Sequence, residues 1–178
     1  MNEATIQHAR MWAGMHHKGQ TRKYTGEPYI THPEAVGALV RAHGLSDTAI
    51  IAALLHDTVE DTNATLESVE DTFGPKVAEY VWYLTKPPGF VGDRATRKEH
   101  DRNRLSIAPE EVRLIKFYDV YHNASSIKEH DPDLWETWKH EMSLLMLAID
   151  IRSLFPTFGW SRPTHTTTVE EFLLSLEP

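Results

Sequence analysis

The chain has 178 residues and a mass of 20.4 kDa, a length typical of one domain that buries a full core without cross-links. It contains no cysteine, which excludes a disulfide framework, a thiolate metal site and a cysteine nucleophile. The 18 Lys and Arg residues against 26 Asp and Glu residues give a net charge of −8, which disfavours general binding to nucleic acids or anionic membranes. The sequence shows neither an apolar run long enough to span a bilayer nor a secretory signal at its amino end, so we expect a cytoplasmic protein.

Apolar residues recur at intervals of three or four, and little in the sequence favours strands, so we predict an all-α fold. A first helix is predicted over residues 3–17. Its residues expected to face the core are Ile6, Ala9, Ala13 and Met15. Residues 19–28 are rich in Gly and polar residues and end in Pro, which predicts a loop. A second helix should open at Pro33 and close at Gly44.

Capping residues and prolines mark the later helices. The predicted starts are Ser46 or Asp47 for the third helix, a capping box at Thr65 for the fourth and Gly74-Pro75 for the fifth. Residues 93–107 are charged and compatible with a helix. Pro109 should begin another helix, and Asp131-Pro132 should begin a long one to about Asp150. Residues 155–168 should be irregular, before a short helix at 169–176.

The segment His56-Asp57-Thr58-Val59-Glu60-Asp61 carries the strongest signal for chemistry. At ~100° per residue, its four ionisable side chains would share one face if the third helix continued through them. The simpler alternative is a solvated helix end whose carboxylates contact water. Three acids and a His directly after an apolar run favour a functional site over that alternative.

Two further positions could add metal ligands. Asp119 and Asn123 lie four residues apart in an otherwise apolar and aromatic helix, so a buried Asp119 would need a cation, hydrogen-bond donors or a salt bridge to a nearby Arg or Lys. His32 precedes Pro33 at a predicted helix start. With the His56-Asp57 pair they would give a shell of two imidazoles and two carboxylates, which suits Mn²⁺ or Fe²⁺ at least as well as Zn²⁺.

Other functional classes find less support. The sequence has no glycine-rich phosphate loop and no nucleophile elbow, so a nucleoside-triphosphatase and a serine hydrolase are not favoured. His122 can be either a surface residue or a site residue, because it neighbours Asn123 but projects from a different part of the helix. Six other histidines are expected on the surface: His16, His17, His100, His130, His140 and His165.

Taken together, the candidate residues lie in motifs that resemble the HD-domain phosphohydrolases, and more specifically the hydrolase domain of RelA/SpoT-type alarmone enzymes. The motifs are Gly19-Gln20-x-Arg22-Lys23, Gly26-Glu27-Pro28-Tyr29-Ile30-x-His32-Pro33, Ala53-Leu54-Leu55-His56-Asp57-Thr58-Val59-Glu60-Asp61-Thr62, Leu84-Thr85-Lys86 and Asp119-x-x-His122-Asn123. They span about residues 5–130. The chain most resembles a stand-alone small alarmone hydrolase, so we expect one HD-type domain over 1–178, with C-terminal helices and an irregular tail at 131–178.

The resemblance implies an HD-domain helical bundle that hydrolyses the 3′-diphosphate of (p)ppGpp, releasing pyrophosphate and GDP or GTP. Mn²⁺ is the metal it implies, other divalent metals being possible. It assigns metal binding to His32, His56, Asp57 and Asp119, water handling to Glu60 and Asp61, and nucleotide contacts to Arg22, Lys23 and Asn123. The expected partner is a small-molecule nucleotide rather than a nucleic acid or a membrane, and no oligomeric state is predicted.

This chain departs from the family pattern beside Asp119, where Phe117-Tyr118 replaces the usual Leu-Ala, and at Ser125, which replaces an Arg. These changes leave two alternatives open. One is a phosphatase for another 2′- or 3′-phosphorylated nucleotide such as NADPH or pppApp. The other is a catalytically silent alarmone-binding sensor, against which the intact Glu60-Asp61 pair argues.

Overall fold

The computed structural model describes residues 3–87, 89 and 91–150. Within these residues the regular secondary structure is α-helical, which confirms the all-α prediction. None of the described helices combines the length and apolar character needed to cross a membrane. The predicted irregular segment at 155–168 and the helix at 169–176 lie outside the described residues. The chain divides into two compact units, Met1–Val91 and Gly92–Pro178.

The first unit is built around one apolar helix. Its helices are α1 (Glu3–His16), α2 (Thr31–Ala42), α3 (Asp47–Leu55), α4 (Thr58–Asp61), α5 (Leu66–Phe73) and α6 (Pro75–Leu84). Every residue of α3 from Ala49 to Leu55 is buried, as expected of a helix that is apolar on all sides, and α3 contacts α1, α2 and α6. At Gly37 of α2 an added Cβ would lie only 3.1 Å from Leu54 Cδ2, so these two helices pack closely.

Three of the four residues of α1 that were predicted to face the core are buried. Ile6, Ala9 and Ala13 are buried, whereas Met15 is 65% exposed and Trp12 is buried in its place. Trp12 follows Ala9 by three residues and so lies on the same face of the helix. Met15 follows Ala13 by two, about 200° around the axis, and therefore points to solvent.

Several predicted helix ends are confirmed. The Ser46 hydroxyl accepts a hydrogen bond from the Ala49 backbone N–H at 3.2 Å, and Thr65 forms a capping box with Ser68. In contrast, α2 begins at Thr31, two residues before the expected start at Pro33. A proline is tolerated there because the first backbone N–H groups of a helix have no intrahelical acceptor.

The third helix does not continue through the acidic segment. It ends at Leu55, and α4 is a separate helix of four residues. The Thr58 hydroxyl donates to the Leu55 carbonyl oxygen at 2.6 Å, and Asp57 has φ −98° and ψ −8°, so the backbone turns between the two helices. The common face expected of one continuous helix is therefore absent, and the acidic side chains are placed by the turn instead.

The second unit contains three helices in its described part, α7 (Arg94–Ser106), α8 (Glu110–His130) and α9 (Pro132–Ala148). Each contacts the other two. Helix α7 is mostly polar and is attached through Arg94, whose Nε and Nη2 donate to the two carboxylate oxygens of Glu141 at 2.5 and 3.0 Å. Helix α8 supplies most of the apolar core, with Val112, Leu114, Ile115, Phe117, Tyr118 and Val120 buried.

Two leucines near the end of α9 test this packing. Leu145 is 5% exposed and Leu147 is 59% exposed. Leu145→Ala should lower the free energy of unfolding by about 2–5 kcal/mol, because it leaves a cavity in the core. The matched control Leu147→Ala should stay within about 0.5 kcal/mol of the wild type. Denaturant titrations measure both, and equal losses would contradict the described packing of α9.

Candidate active site

Two buried histidines of the first unit approach one carboxylate. His32 is the second residue of α2, His56 directly follows α3, and both rings are almost fully buried. Asp57 Oδ2 lies 3.1 Å from His56 Nε2 and 3.7 Å from His32 Nε2. A nitrogen of each ring lies within 4.8 Å of the other. The end of α3 and the start of α2 therefore bring three potential metal ligands together.

The hydrogen bonding of His56 fits a metal ligand. Its Nδ1 lies 2.7 Å from the Ala53 carbonyl oxygen, and because a carbonyl only accepts, Nδ1 carries the hydrogen. In the neutral ring Nε2 then presents a lone pair to Asp57 Oδ2, so two acceptor atoms face each other. A divalent cation between such atoms removes the repulsion, and metal-binding histidines commonly donate their other N–H to a backbone carbonyl. The donor set of His32, His56 and Asp57 thus fits a divalent metal.

Tyr29 also contacts this group, which the sequence motifs alone did not assign. Its hydroxyl donates to Asp57 Oδ2 at 2.7 Å and lies 3.4 Å from Asp61 Oδ2. The signal available in the sequence was only its place in the motif around His32. A tyrosine hydroxyl on a carboxylate 28 positions away is a tertiary contact that no local pattern encodes.

Glu60 and Asp61, adjacent in α4, have different surroundings. Lys86 donates to Glu60 through its ammonium group, and its backbone N–H lies 3.3 Å from Glu60 Oε2. Removal of water raises the pKa of Asp61, and the negative charges of Asp57 and Glu60 raise it further, against smaller opposing effects of Lys86 and His17. Glu60 is therefore engaged by a cation, whereas Asp61 retains a proton more readily than an ordinary aspartate.

The basic loop before α2 carries Arg22 and Lys23. It is closed by the Arg22 backbone N–H, which donates to the Glu27 carbonyl at 2.8 Å, and by the Gly26 N–H, which donates to the Arg22 carbonyl at 3.0 Å. The Arg22 guanidinium carbon lies 5.8 Å from the centre of the Tyr29 ring, and the Lys23 ammonium donates to the Tyr24 hydroxyl at 2.9 Å. Arg22 is thus close to the residue that contacts Asp57.

The prediction that His17 lies on the surface is wrong. Its ring is only 2% exposed, packs on Tyr29 with centroids 4.8 Å apart, and has its Nδ1 2.7 Å from Gln20 Oε1. A His at the end of α1 looked like a dipole-favoured surface residue, but the loop that follows folds back over it. The Gln20 side-chain amide then donates to the Asp61 backbone carbonyl at 2.8 Å.

In the second unit, Asp119 is buried in α8 with two partners on the same helix. The Lys116 ammonium donates to its Oδ2 at 2.6 Å, and the Asn123 amide donates to its Oδ1 at 2.7 Å. The sequence allowed a salt bridge from Asp119 to a nearby Arg or Lys, and the structure contains one, to Lys116. Two donors on one face of α8 hold this carboxylate in a defined orientation.

Comparison with known proteins supports the reading of these motifs. Residues 9–145 match the family described as the HD domain. The chain belongs to the HD domain family. This match includes all the candidate site residues: Arg22, Lys23, His32, His56, Asp57, Glu60, Asp61, Asp119 and Asn123.

Curated relatives of this HD domain are much longer proteins. A GTP pyrophosphokinase rsh from Brucella melitensis is 37% identical over 131 residues, which are 71% of this chain and 17% of that protein. The bifunctional (p)ppGpp synthase/hydrolase SpoT of Escherichia coli K12 is 39% identical over 121 residues, which are 66% of this chain and 17% of that protein. The chain thus spans about a sixth of the length of these relatives.

Among solved structures, one described as a metazoan ortholog of SpoT that hydrolyses ppGpp superposes with a TM-score of 0.72 and 25% identity. The match covers 89% of this chain and 98% of that one. A protein from Listeria monocytogenes superposes with a TM-score of 0.60 and 25% identity. The resemblance therefore extends to the fold of a chain of similar length.

The raised pKa of Asp61 gives a test in this HD domain without substrate. A carboxyl whose pKa is raised by folding destabilises the protein once it is ionised. Metal-free Asp61→Asn should therefore melt at a higher temperature than the wild type at pH 7. The difference should vanish as the pH falls to where Asp61 takes up its proton in the folded and unfolded states.

Glu141→Gln is the matched control with the opposite sign. The Arg94 guanidinium lowers the pKa of Glu141, so this carboxylate stabilises the protein at pH 7 and loses its contribution as the pH falls. Thermal melts between pH 3 and pH 8 compare the two variants. A lower melting temperature for Asp61→Asn at pH 7 would contradict the described surroundings of Asp61.

Proposed function

We propose that this chain is a metal-dependent hydrolase that removes the 3′-diphosphate of guanosine alarmones, converting (p)ppGpp to GDP or GTP and pyrophosphate. The observation that carries the proposal is the approach of two buried imidazoles to Asp57, with the paired carboxylates of α4 and a basic loop in the same unit. The names of the SpoT relatives and the fold shared with a metazoan ppGpp hydrolase support the same reaction.

We propose Mn²⁺ as the metal, with His32, His56, Asp57 and Asp119 as ligands. The first three lie together in the first unit. Asp119 is assigned from its sequence motif, and its two donors show how α8 orients it. When bound, a divalent cation polarises a phosphoryl oxygen and lowers the pKa of water, which is what hydrolysis at neutral pH requires.

We propose that the acidic pair of α4 handles the attacking water, with Asp61 as the base and Glu60 in a supporting role. In the proposed reaction a water oxygen attacks the phosphorus attached to the 3′ oxygen, and the bond between that phosphorus and the 3′ oxygen breaks. The 3′ oxygen is the leaving group and takes up a proton to become the 3′ hydroxyl of GDP or GTP, while the water oxygen is retained in the released pyrophosphate. Asp61 Oδ2 is suited to accept the proton of the attacking water because its raised pKa brings it nearer to the working pH. Glu60 is held by Lys86, so its role is to fix that lysine and to add negative charge beside Asp61.

The nucleotide contacts are proposed to come from Arg22, Lys23 and Asn123. A diphosphate is repelled by a chain of net charge −8, and two adjacent cations on the loop before α2 offset that repulsion locally. The Arg22 guanidinium carbon lies 5.8 Å from the centre of the Tyr29 ring, and the hydroxyl of that tyrosine contacts Asp57.

We further propose that residues 1–178 act as one HD-type domain in the cytoplasm on a small-molecule nucleotide. Phosphatase action on NADPH or pppApp is retained as a second candidate, because Phe117 and Tyr118 are buried beside Asp119 and Ser125 is an exposed hydroxyl in place of a cation. The third candidate is a catalytically silent sensor that binds an alarmone without hydrolysing it.

A substrate comparison separates these candidates. Purified protein loaded with Mn²⁺ is incubated with ppGpp, pppGpp, pppApp and NADPH, and the release of pyrophosphate and of orthophosphate is scored separately. We expect pyrophosphate from ppGpp and pppGpp. Orthophosphate from NADPH with no pyrophosphate from any alarmone would replace the proposal by the second candidate, and binding of ppGpp without turnover would replace it by a sensor.

Amide variants separate proton transfer from binding. Asp61→Asn should lower kcat by about 10²–10⁴-fold, the usual contribution of general acid–base catalysis, while metal content stays at the wild-type level. Glu60→Gln should lower kcat less, since its carboxylate is engaged by Lys86. The exposed pair of Glu79 and Lys76 supplies the control Glu79→Gln, which should turn over normally. Wild-type turnover by Asp61→Asn would remove this residue from the chemistry.

A further inference from the structure

Tyr29 occupies a central position among the candidate residues of the first unit. Its hydroxyl donates to Asp57 Oδ2 at 2.7 Å, the same oxygen that lies 3.1 Å from His56 Nε2. A phenol carries one proton, so the contact of 3.4 Å to Asp61 Oδ2 is the weaker branch of this interaction. The tyrosine thus touches the carboxylate proposed to bind the metal and lies beside the carboxylate proposed to handle water.

The ring of Tyr29 is held from several sides. The His17 ring packs against it at 4.8 Å with an interplanar angle of 33°, and the His32 ring meets it edge-on at 6.1 Å. The Arg22 guanidinium lies 5.8 Å from the ring centre. A change in the χ1 torsion of Tyr29, which is the movement that would carry its hydroxyl away from Asp57, would break all three contacts, so the hydroxyl has little freedom to leave Asp57.

The backbone of Tyr29 is fixed as well, through Gln20. The Tyr29 N–H donates to the Gln20 carbonyl at 2.9 Å, which closes the basic loop at its base. The Gln20 side chain accepts from His17 Nδ1 at 2.7 Å and donates to the Asp61 carbonyl at 2.8 Å. These bonds connect the loop, the end of α1 and the end of α4.

On the basis of the metal centre proposed above, we propose that Tyr29 is a positioning residue that orients the Asp57 carboxylate for a divalent cation. The terminal torsion of an aspartate is broad and nearly two-fold, so a donor to Oδ2 fixes this torsion and holds Oδ2 toward the two histidines. Hydrogen-bond partners of metal ligands typically change metal affinity or activity by about 10–100-fold when they are removed. His17 and Gln20 support this role by fixing the ring and the loop.

Direct titration of metal-stripped protein with Mn²⁺ by calorimetry tests the proposal without substrate. Tyr29→Phe keeps the ring and its packing and removes only the hydroxyl, so it should raise the Kd for Mn²⁺ by about 10–100-fold with the melting temperature of the stripped protein unchanged. Tyr83→Phe, a hydroxyl deletion on α6 of the same unit, is the control and should bind like the wild type.

Asp57→Asn and the double variant Tyr29→Phe/Asp57→Asn complete a double-mutant cycle, which measures whether the two residues act together on Mn²⁺ affinity. If the tyrosine acts through Asp57, the double variant should bind Mn²⁺ no more weakly than Asp57→Asn alone, whereas a merely structural role would add its loss to both backgrounds. Gln20→Ala is a second route, which leaves Tyr29 and Asp57 unchanged and removes the side-chain bonds to His17 and to the Asp61 carbonyl. It should weaken Mn²⁺ binding several-fold by loosening the loop.

These measurements separate a failure of the positioning role from a failure of the proposed metal centre. Wild-type Mn²⁺ affinity in Tyr29→Phe, together with a loss in Asp57→Asn, would overturn the positioning role and leave the metal centre intact. Wild-type affinity in Asp57→Asn would overturn the metal centre itself. Equal losses for Tyr29→Phe in both backgrounds would assign the tyrosine to general stability.

Discussion

The close packing of α2 on α3 is the constraint on which the candidate site depends. His32 lies five residues before Gly37 in α2, and His56 lies two residues after Leu54, so the contact between Gly37 and Leu54 sets the spacing of the two imidazoles. With 3.1 Å between the position of a Cβ at Gly37 and Leu54 Cδ2, even an alanine at Gly37 would require Leu54 to shift by a few tenths of an ångström. Because α3 is surrounded by other helices of the first unit, such a shift would have little room to relax. The geometry of the histidines is thus a product of core packing rather than of the residues at the site.

The sequence predicts the helices well because their ends carry local chemical signals. Ser46, the capping box of Thr65 and the Gly74-Pro75 step each act on neighbouring backbone groups, so a short segment contains the whole cause. The break between α3 and α4 was not predicted, because it depends on one hydroxyl, that of Thr58, competing for a carbonyl at the end of α3. The prediction that Met15 faces the core is also wrong, because the helical period places Trp12 on that face of α1 instead.

The candidate site was predictable in its residue types but not in its supporting contacts. The motifs pointed to His32, His56 and Asp57, and the first unit brings these three together. The burial of His17, the contact of Tyr29 with Asp57 and the pairing of Glu60 with Lys86 join segments that are far apart in the chain. Two adjacent acids consequently have different surroundings, and burial raises the pKa of Asp61. These surroundings come from residues outside α4 and are not encoded in its sequence.

The polarity of the two helices beside the histidines has a consequence for what this site attracts. His56 follows the carboxyl end of α3, where the helix dipole leaves a partial negative charge that favours a cation. At the start of α2, in contrast, the N–H groups of Thr31, His32 and Glu34 already donate to the carbonyls of Pro28, Tyr29 and Ile30. The backbone at the α3 end of the histidine pair therefore favours a positive charge, whereas the first N–H groups of α2 are already occupied. The backbone alone thus favours a cation beside the two imidazoles, before any charged side chain is counted.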